Sequence, residues 1–496
     1  MLRATNRLAE RVVKGMSTQR PRRYRHTVST FLGASVVVGC VFAAQTIYLD
    51  SSSSSDISGN PFESLRRRKS TDSFDPTRQP VDTHAALRQH EETRSADGKA
   101  TGIARYDIVQ VSSNDPNEDD HSAAIVPHPK GSWAFFAVLD GHSGWETSAW
   151  LRENLIPAVT GALADLYHDY HSLGDSFLAK AWALIGHNSD GGDAYTPPAS
   201  SIDIAMRKTF KRLDDDIVHD AVERVFAAPS KNLATNILAP AYAGSCALLS
   251  FFDSHTKTLR VAVTGDSRAV LGRRKVDPNT GEVHYETHVL SVDQDGNNPL
   301  EIARLNDSPE HPGEAVIQNG RVLGMGPSRA FGDARWKWDL ATQTRLKKDY
   351  LGRSTPGNVK TPPYLTAEPE ITTTKTEPGD FLIMATDGLW ECLQSEEAVG
   401  LVGAWLNTQG GGESVGEVIS REALPVELPE KDDTVRYRQW GARKAFVNID
   451  SNAATHLARN ALGGNDSDLA AALLAMRNPR GRTYRDDITA IVIFFD

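Results

Sequence analysis

Residues 133–146 read WAFFAVLDGHSGWE, an apolar run that ends on an acidic residue and glycines. The run Trp133–Leu139 is rich in aromatic and branched side chains and predicts a β-strand. Asp140 follows it directly, so its carboxylate can leave the sheet and face a cleft. Gly141 has no side chain, which lets its backbone carbonyl approach a cation closely. This stretch therefore predicts a strand with oxygen ligands at its end.

Five further blocks repeat this arrangement of a strand-like run beside an acidic or Gly/Asp cluster. They are NEDD at 117–120, VTGDSRAV at 263–270, PSRAFGD at 327–333, MATDGLW at 384–390 and RDDITAIVI at 485–493. One such block alone is most often a turn at a strand end. Six together favour a shared site, because carboxylates at strand ends can converge and are preferred ligands of hard divalent cations.

The composition indicates a soluble globular body with an acidic surface. The chain has 496 residues, 40% of them apolar, and a formal net charge of −10. Residues 1–49 contain eight Lys or Arg and one acid, so the remainder carries about −17, which disfavours nucleic acid as a partner. The three cysteines are too few for a disulfide framework or zinc ribbon, and none begins the C-x5-R loop of cysteine phosphatases.

The N-terminal sequence predicts an organellar targeting signal followed by a membrane anchor. Residues 1–28 are basic with a single acid, typical of a mitochondrial targeting segment, although a solvated basic tail has the same composition. Residues 29–49 carry no charge and are long enough for a single-pass transmembrane helix. Residues 50–97 predict a disordered linker, and residues 98–496 the catalytic domain.

The sequence does not determine on which side of the membrane the catalytic domain lies. Positive charge before a stop-transfer helix would place the domain in the intermembrane space. Full import, or removal of the anchor, would place it in the matrix. The expected location is therefore the mitochondrial inner membrane, with the side undecided.

Within the body, strand-like and helix-like periods alternate without a strict βαβ rhythm, which predicts a mixed α+β domain. The predicted strands are Trp133–Leu139, Cys246–Phe252, Leu259–Thr264, Phe381–Ala385 and Ile488–Phe495; the predicted helices are Glu146–Val159 and Ile202–Phe226. The segment VDPNTGEVHY at 276–285 predicts a β-hairpin.

The residue types at the strand ends suit hydrolysis assisted by metal ions. Two divalent cations can share a carboxylate and a water molecule, whose lowered pKa makes it a nucleophile at neutral pH. Asp140 and Asp387 follow predicted strands, and Asp486 precedes one. His142 beside this cluster is a candidate general acid, although an isolated histidine is more often structural. The P-loop, protein-kinase and HExxH signatures are absent from the sequence.

The ordered series VLDGHSG, GSCALLSFF, VAVTGDSRAVL, GPSRAFGD, FLIMATDGLWECL and RDDITAIVIFF resembles the motifs of the type 2C, metal-dependent serine/threonine protein phosphatases, over about residues 100–496. The segments RAFGDARWKW, KTPPYLTAEPEIT and NIDSNAATHLARNALGG are similar to the mitochondrial pyruvate dehydrogenase phosphatase branch, including its fungal members. The resemblance implies a four-layer α-β-β-α sandwich with two central antiparallel sheets and an Mg²⁺ or Mn²⁺ pair in a cleft at one edge.

The resemblance also implies a role for each matching residue. The implied metal-site residues are Asp140, which bridges both ions, Gly141 through its carbonyl, Asp387, Asp486, Glu118 through a water molecule, and Asp266 for a weaker third ion. His142 is the implied general acid, and Asp333 is expected to be structural. The expected reaction is hydrolysis of phosphoserine or phosphothreonine by a metal-bridging hydroxide, on a phosphoprotein such as pyruvate dehydrogenase E1 alpha. The alternative is a membrane-tethered pseudophosphatase that binds phosphoproteins without turnover.

One position departs from the pattern of most of the family. An arginine that grips the substrate phosphate is expected four residues before Glu118, and Asn114 stands there instead, as it does in the pyruvate dehydrogenase branch. The loss of a guanidinium removes a bidentate, charge-assisted contact. Asn114 is therefore only a provisional phosphate-site residue, and Arg105 is too far upstream to replace the arginine.

Overall fold

Two antiparallel β-sheets form the centre of the molecule. The computed structural model describes residues 81–174, 196–409, 416 and 418–496. The first sheet has the strand order β1-β2-β16-β13-β7-β8. Its strands are β1 (Glu91–Ser95), β2 (Ile103–Val111), β7 (Arg268–Val276), β8 (Val283–Val289), β13 (Phe381–Ala385) and β16 (Ile488–Phe495).

The second sheet has the order β12-β6-β5-β4-β3, with β11 paired to β5. Its strands are β3 (Asp120–His128), β4 (Gly131–His142), β5 (Gly244–Asp253), β6 (Thr258–Thr264), β11 (Phe331–Gly332) and β12 (Glu370–Lys375). Two short pairs complete the strands: β9 (Ile317–Gln318) with β10 (Arg321–Val322), and β14 (Val418–Ile419) with β15 (Phe446–Val447).

Helices pack on the outer faces of both sheets, and shorter helices lie in the connections between strands. They are α1 (Thr83–Leu87), α2 (Gly98–Thr101), α3 (Glu146–Gly174), α4 (Ala199–Asp215), α5 (Ala221–Ala227), α6 (Lys231–Ile237), α7 (Ala239–Tyr242), α8 (Pro299–Asn306), α9 (Leu340–Asp349), α10 (Asp387–Trp390), α11 (Ser395–Gln409), α12 (Arg436–Trp440), α13 (Ala453–Ala461), α14 (Ser467–Ala475) and α15 (Gly481–Tyr484). A π-helical turn, Asp216–Asp220, joins α4 to α5.

Three buried clusters hold these layers together. Side chains such as Phe136 of β4 and Ile491 of β16 meet in the core between the two sheets. The outer face of the second sheet packs against α3 and α4, and the outer face of the first sheet packs against α11 and α13. The predicted α-β-β-α sandwich is therefore confirmed, because each sheet buries both faces.

The predicted elements differ from the structure mainly at their ends. The five predicted strands and the hairpin at 276–285 are present. The helix from Glu146 continues past the predicted end to Gly174, since Leu163 and Tyr167 extend its buried face. The helix predicted over 202–226 is present as α4, the π-helical turn and α5.

The predicted linker over 50–97 is wrong for its last part. Residues 81–97 are folded: Leu87 is fully buried, and β1 pairs with β2 along its whole length. The polar sequence is explained by the position of β1 at the edge of the sheet, where its side chains are mostly exposed. The targeting segment 1–28, the transmembrane segment 29–49 and linker residues 50–80 lie outside the described residues. Among the residues described, no helix is long and apolar enough to cross a bilayer.

Candidate metal centre and active site

Three aspartates converge where the two sheets meet at one edge. Asp140 lies near the C-terminal end of β4, Asp266 lies between β6 and β7, and Asp387 begins α10 just after β13. One carboxylate oxygen from each lies within 4.8 Å of the others. The backbone N–H of Asp387 also donates to Asp140 Oδ2 at 3.4 Å. We call these three residues the acidic centre.

The charges of the acidic centre oppose one another. Burial, and then the charge of Asp266, raises the pKa of Asp140 to about 7. Burial and Asp387 likewise raise the pKa of Asp266 to about 7. The pKa of Asp387 is raised well above its usual value by burial and Asp140. Three close carboxylates, whose repulsion is only partly offset by the charges of His142 and Arg482, are the donor set that Mg²⁺ or Mn²⁺ fits, because these ions prefer oxygen ligands.

Gly141 and Glu118 lie against each other at the rim of the acidic centre. A Cβ atom on Gly141 would lie 2.0 Å from the carbonyl oxygen of Glu118, so only glycine fits there. The Ser148 hydroxyl donates to the same Glu118 carbonyl at 2.6 Å. The structure therefore requires glycine here for packing against the Glu118 backbone, and the approach of the Gly141 carbonyl to a cation stays a prediction.

Asp486 lies beside the acidic centre but outside the group of three. Its carboxylate forms an ion pair with Arg482, four residues earlier in α15. It also accepts the backbone N–H of Asp487 at 2.7 Å. The structure thus brings together Asp140, Asp266 and Asp387, while Asp486 is engaged by a guanidinium of the chain itself.

The neighbouring Asp487 organises the loop that carries Glu118. Its Oδ1 accepts the backbone N–H of Asn114 at 2.8 Å, and its Oδ2 accepts that of Glu118 at 3.1 Å. Asp487 is 2% exposed, so these charge-assisted bonds are shielded from water. The loop between β2 and β3 is thereby fixed to the start of β16.

Asn114 has both ends of its amide occupied within the protein. Its Nδ2 donates to Asp487 Oδ2 at 2.8 Å, and its Oδ1 accepts from Asn478 Nδ2 at 3.3 Å. These partners explain an asparagine at this position as a link between two loops. A phosphate contact from Asn114 stays a prediction.

His142 forms a buried pair with Asp333. The Nε2 atom of His142 lies 2.6 Å from Asp333 Oδ2, and Asp333 is 1% exposed. Burial lowers the pKa of His142, but the charge and hydrogen bond of Asp333 more than offset this effect and raise it to about 9. A Cβ on Gly244 would meet both partners at 2.4 Å or less, so this glycine makes room for the pair.

Asp119 is a buried acid that the sequence reasoning did not single out. It is 6% exposed, and Thr386 Oγ1 donates to its Oδ2 at 3.0 Å. Burial, followed by the charge of Asp140, raises its pKa well above the usual value. Its place in the NEDD block directly after Glu118 was the available signal.

The comparisons with known proteins agree with this geometry. The family model described as Protein phosphatase 2C matches residues 111–427. The chain belongs to the protein phosphatase 2C family. It is accordingly a metal-dependent serine/threonine phosphatase, and the predicted family is confirmed.

Two relatives and one solved structure illustrate the similarity. A protein phosphatase 2C homolog of Schizosaccharomyces pombe is 44% identical over 80% of this chain and 81% of its own length. The mitochondrial pyruvate dehydrogenase (acetyl-transferring) phosphatase 1 of Saccharomyces cerevisiae is 36% identical over 83% of this chain and 72% of its own length. A serine-threonine phosphatase 2C structure from Toxoplasma gondii has a TM-score of 0.41 at 17% identity, over 82% of this chain and 99% of that one. The predicted resemblance to the pyruvate dehydrogenase phosphatase branch is confirmed by these relatives.

Proposed function

We propose that the acidic centre is the catalytic site at which this phosphatase removes phosphate from phosphoserine and phosphothreonine, using two Mg²⁺ or Mn²⁺ ions. The observation that carries the proposal is the convergence of Asp140, Asp266 and Asp387 within 4.8 Å. When bound, such ions supply a water molecule of lowered pKa as the nucleophile and offset the charge of the phosphoryl oxygens.

The proposed ligand set is the one implied by the resemblance to the family, and the convergence of Asp140 with Asp387 supports it. We assign the two main ions to Asp140, the Gly141 carbonyl, Asp387 and Asp486, with Glu118 acting through a water molecule, and a weaker third ion to Asp266. For Asp486 to join this set, its ion pair with Arg482, which involves Oδ1, would have to share the carboxylate with a cation or give way to it.

His142 is the proposed proton donor to the departing seryl or threonyl oxygen. Its raised pKa keeps the ring doubly protonated at neutral pH. The Nε2–H is donated to Asp333, which leaves the Nδ1–H for the leaving oxygen as the P–O bond breaks. An alkoxide is a poor leaving group, so this proton contributes directly to the rate. Asp333 is a positioning residue in this scheme, because it orients the ring without touching the substrate.

The proposed substrate is a mitochondrial phosphoprotein, with pyruvate dehydrogenase E1 alpha as the leading candidate. Support comes from the relatives of Saccharomyces cerevisiae and Homo sapiens, which are named as mitochondrial pyruvate dehydrogenase phosphatases, and from the basic residues 1–28. The single-pass anchor at 29–49 remains part of this proposal. Protease protection in intact mitochondria and in mitoplasts would place the catalytic domain in the matrix or the intermembrane space.

The site assignment is tested with Asp387→Asn and the control Asp468→Asn, an exposed acid of α14. We expect Asp387→Asn to reduce turnover of a phosphoserine peptide by more than about 100-fold, since a charged ligand is lost, and the control to retain wild-type turnover. Near-normal turnover of Asp387→Asn at saturating Mn²⁺ would contradict the assignment. Absence of turnover in the wild type, with peptide binding retained, would favour the pseudophosphatase alternative.

A further inference from the structure

Arg482 is the guanidinium that faces the acidic centre. It lies in α15 with its side chain 41% exposed, paired to Asp486. Burial raises the pKa of Glu118, Asp140 and Asp387, and in all three the positive charge of Arg482 lowers it. Arg482 is thus close enough to act electrostatically on three sides of the site while remaining open to solvent.

Three other guanidinium groups are bonded to residues outside the acidic centre. Arg436 is bonded to Glu391 and to the Thr483 carbonyl. Arg485 is 4% exposed and donates to the Leu473 carbonyl. Arg105 forms two bonds to Asp107 and one to the Ser451 carbonyl. Each of these would have to leave its partners before it could bind a ligand.

The partner of Arg482 differs from these, because it is a carboxylate that the proposed function assigns to a metal ion. A cation bound to Asp486 would draw on the same negative charge and so weaken the ion pair that Arg482 makes with Oδ1 of this carboxylate. The guanidinium would then be able to turn to an anionic ligand at the site. A free guanidinium at the mouth of an anion-hydrolysing site presents a planar pair of donors that matches two phosphate oxygens.

We propose that Arg482 binds the phosphoryl group of the substrate, in exchange for Asp486, once the metal ions are bound. This inference rests on the proposed function. It supplies the cationic phosphate contact that Asn114 cannot make while its amide is bonded to Asp487 and Asn478.

The test measures binding of inorganic phosphate by calorimetry at saturating Mg²⁺, which requires no turnover. The variants are Arg482→Ala, Arg482→Lys and the control Arg480→Ala, whose guanidinium lies 5.9 Å from the Tyr484 ring in the same segment. A charge-assisted bond contributes about 1.5–3 kcal/mol, so the Kd for phosphate should rise by roughly 10- to 100-fold in Arg482→Ala. Arg482→Lys should lie between, since an ammonium keeps the charge without the paired donors. Arg480→Ala should bind phosphate like the wild type.

Two further measurements separate this role from a structural one. The KM for a phosphoserine peptide should rise by the same factor as the phosphate Kd, with a smaller change in kcat. Binding of Mg²⁺ alone, titrated calorimetrically, should be unchanged or tighter in Arg482→Ala, because a competitor for Asp486 is removed. Weaker Mg²⁺ binding with an unchanged phosphate Kd would overturn the inference and make Arg482 a support for Asp486.

The outcomes also distinguish this inference from the proposed function. If phosphate binding depends on Arg482 but the protein hydrolyses no phosphopeptide, the proposed function is contradicted and the role of Arg482 is supported. If the protein hydrolyses phosphopeptides but the phosphate Kd does not change in Arg482→Ala, the proposed function is supported and the role of Arg482 is contradicted. If Arg482→Ala does not fold, as judged by circular dichroism, Arg482→Gln removes the charge at nearly the same length and takes its place with the same expected loss.

Discussion

The acidic centre, whose three aspartates are partly buried, and the cluster around the buried Glu301 have opposite electrostatics. Glu301 is bonded to Arg329 at 2.6 Å, Arg304 at 2.7 Å and the Ser328 hydroxyl at 2.6 Å. Burial raises the pKa of Glu301, but these hydrogen bonds outweigh it and lower the pKa to about 2. In the acidic centre, burial and mutual repulsion outweigh the nearby positive charges of His142 and Arg482, and the pKa values rise.

This comparison shows that the chain pairs one carboxylate with guanidinium groups at bonding distance and leaves much of the neutralising charge at the other site to a ligand. A buried carboxylate that serves the fold is matched by guanidinium groups within bonding distance. The carboxylates of the acidic centre are left in mutual repulsion, which costs stability in the free protein and becomes binding energy for a cation. Predictions that compare the two regions therefore have opposite signs.

The largest expected effect on stability is from Glu301→Gln. The substitution leaves Arg329, which is 7% exposed, without its buried counter-charge, so the free energy of unfolding should fall by about 3 kcal/mol. Chemical denaturation at pH 7 measures it. Glu310→Gln, an exposed acid after the same helix, should change stability little. Equal effects of the two variants would refute the role given to the cluster.

The stabilisation by Glu301 should also depend on pH. Its folded pKa is about 2, below the usual 4.5, so its contribution is fully present above pH 4.5 and is lost as pH falls from 4.5 to 2. The difference in unfolding free energy between wild type and Glu301→Gln should therefore shrink over that window. A difference that stays constant from pH 5 to pH 3 would contradict the assigned pairing.

Asp333→Asn should reduce activity in a way that depends on the leaving group. Asparagine tolerates the left-handed backbone of this residue, φ 48°, but it lacks the charge that holds His142. Turnover of a phosphoserine peptide should fall by about tenfold or more, whereas p-nitrophenyl phosphate, whose leaving group needs little protonation, should be affected less. His142→Ala should show the same pattern. Equal losses on both substrates would make the pair structural.

The smallest expected effect on stability is that of Asp140→Asn, and its sign is opposite to that of Glu301→Gln. In EDTA, Asp140→Asn removes one of three repelling charges and keeps an oxygen for the Asp387 N–H. The metal-free variant should be as stable as the wild type or more stable, by on the order of 1 kcal/mol. Chemical denaturation in EDTA at pH 8 measures this difference. A loss of unfolding free energy as large as that of Glu301→Gln would contradict the electrostatic difference between the two regions.

The sequence predicted which residues lie at the site better than it predicted the contacts between them. The strand runs ending at Asp140 and Asp387 were predictable, because short continuous apolar runs and the Gly/Asp residues that end them are local signals. The pair of His142 with Asp333 joins residues 191 positions apart, and no local pattern predicts such a contact. The hydrogen bond from the Glu118 N–H to Asp487 spans 369 positions and is not readable from the sequence either.

The edge strand β1 was also not predicted from the sequence. β1 has little apolar pattern, and it is held by its pairing with β2 and by hydrogen bonds from Asn452 and Thr455. Its polar side chains read as linker because an edge strand that faces solvent carries no buried face of its own. Such a strand becomes visible only when its partner is known.

The most direct test of the account is thermal unfolding of wild type, Asp140→Asn and Glu301→Gln with Mn²⁺ and with EDTA. A ligand present at 100 times its Kd stabilises the folded state by about 2.7 kcal/mol. We predict that Mn²⁺ raises the Tm of the wild type and, from a lower start, of Glu301→Gln by similar amounts, and that it leaves Asp140→Asn almost unchanged. An equal rise in Asp140→Asn would contradict the claim that the acidic centre holds the metal ions.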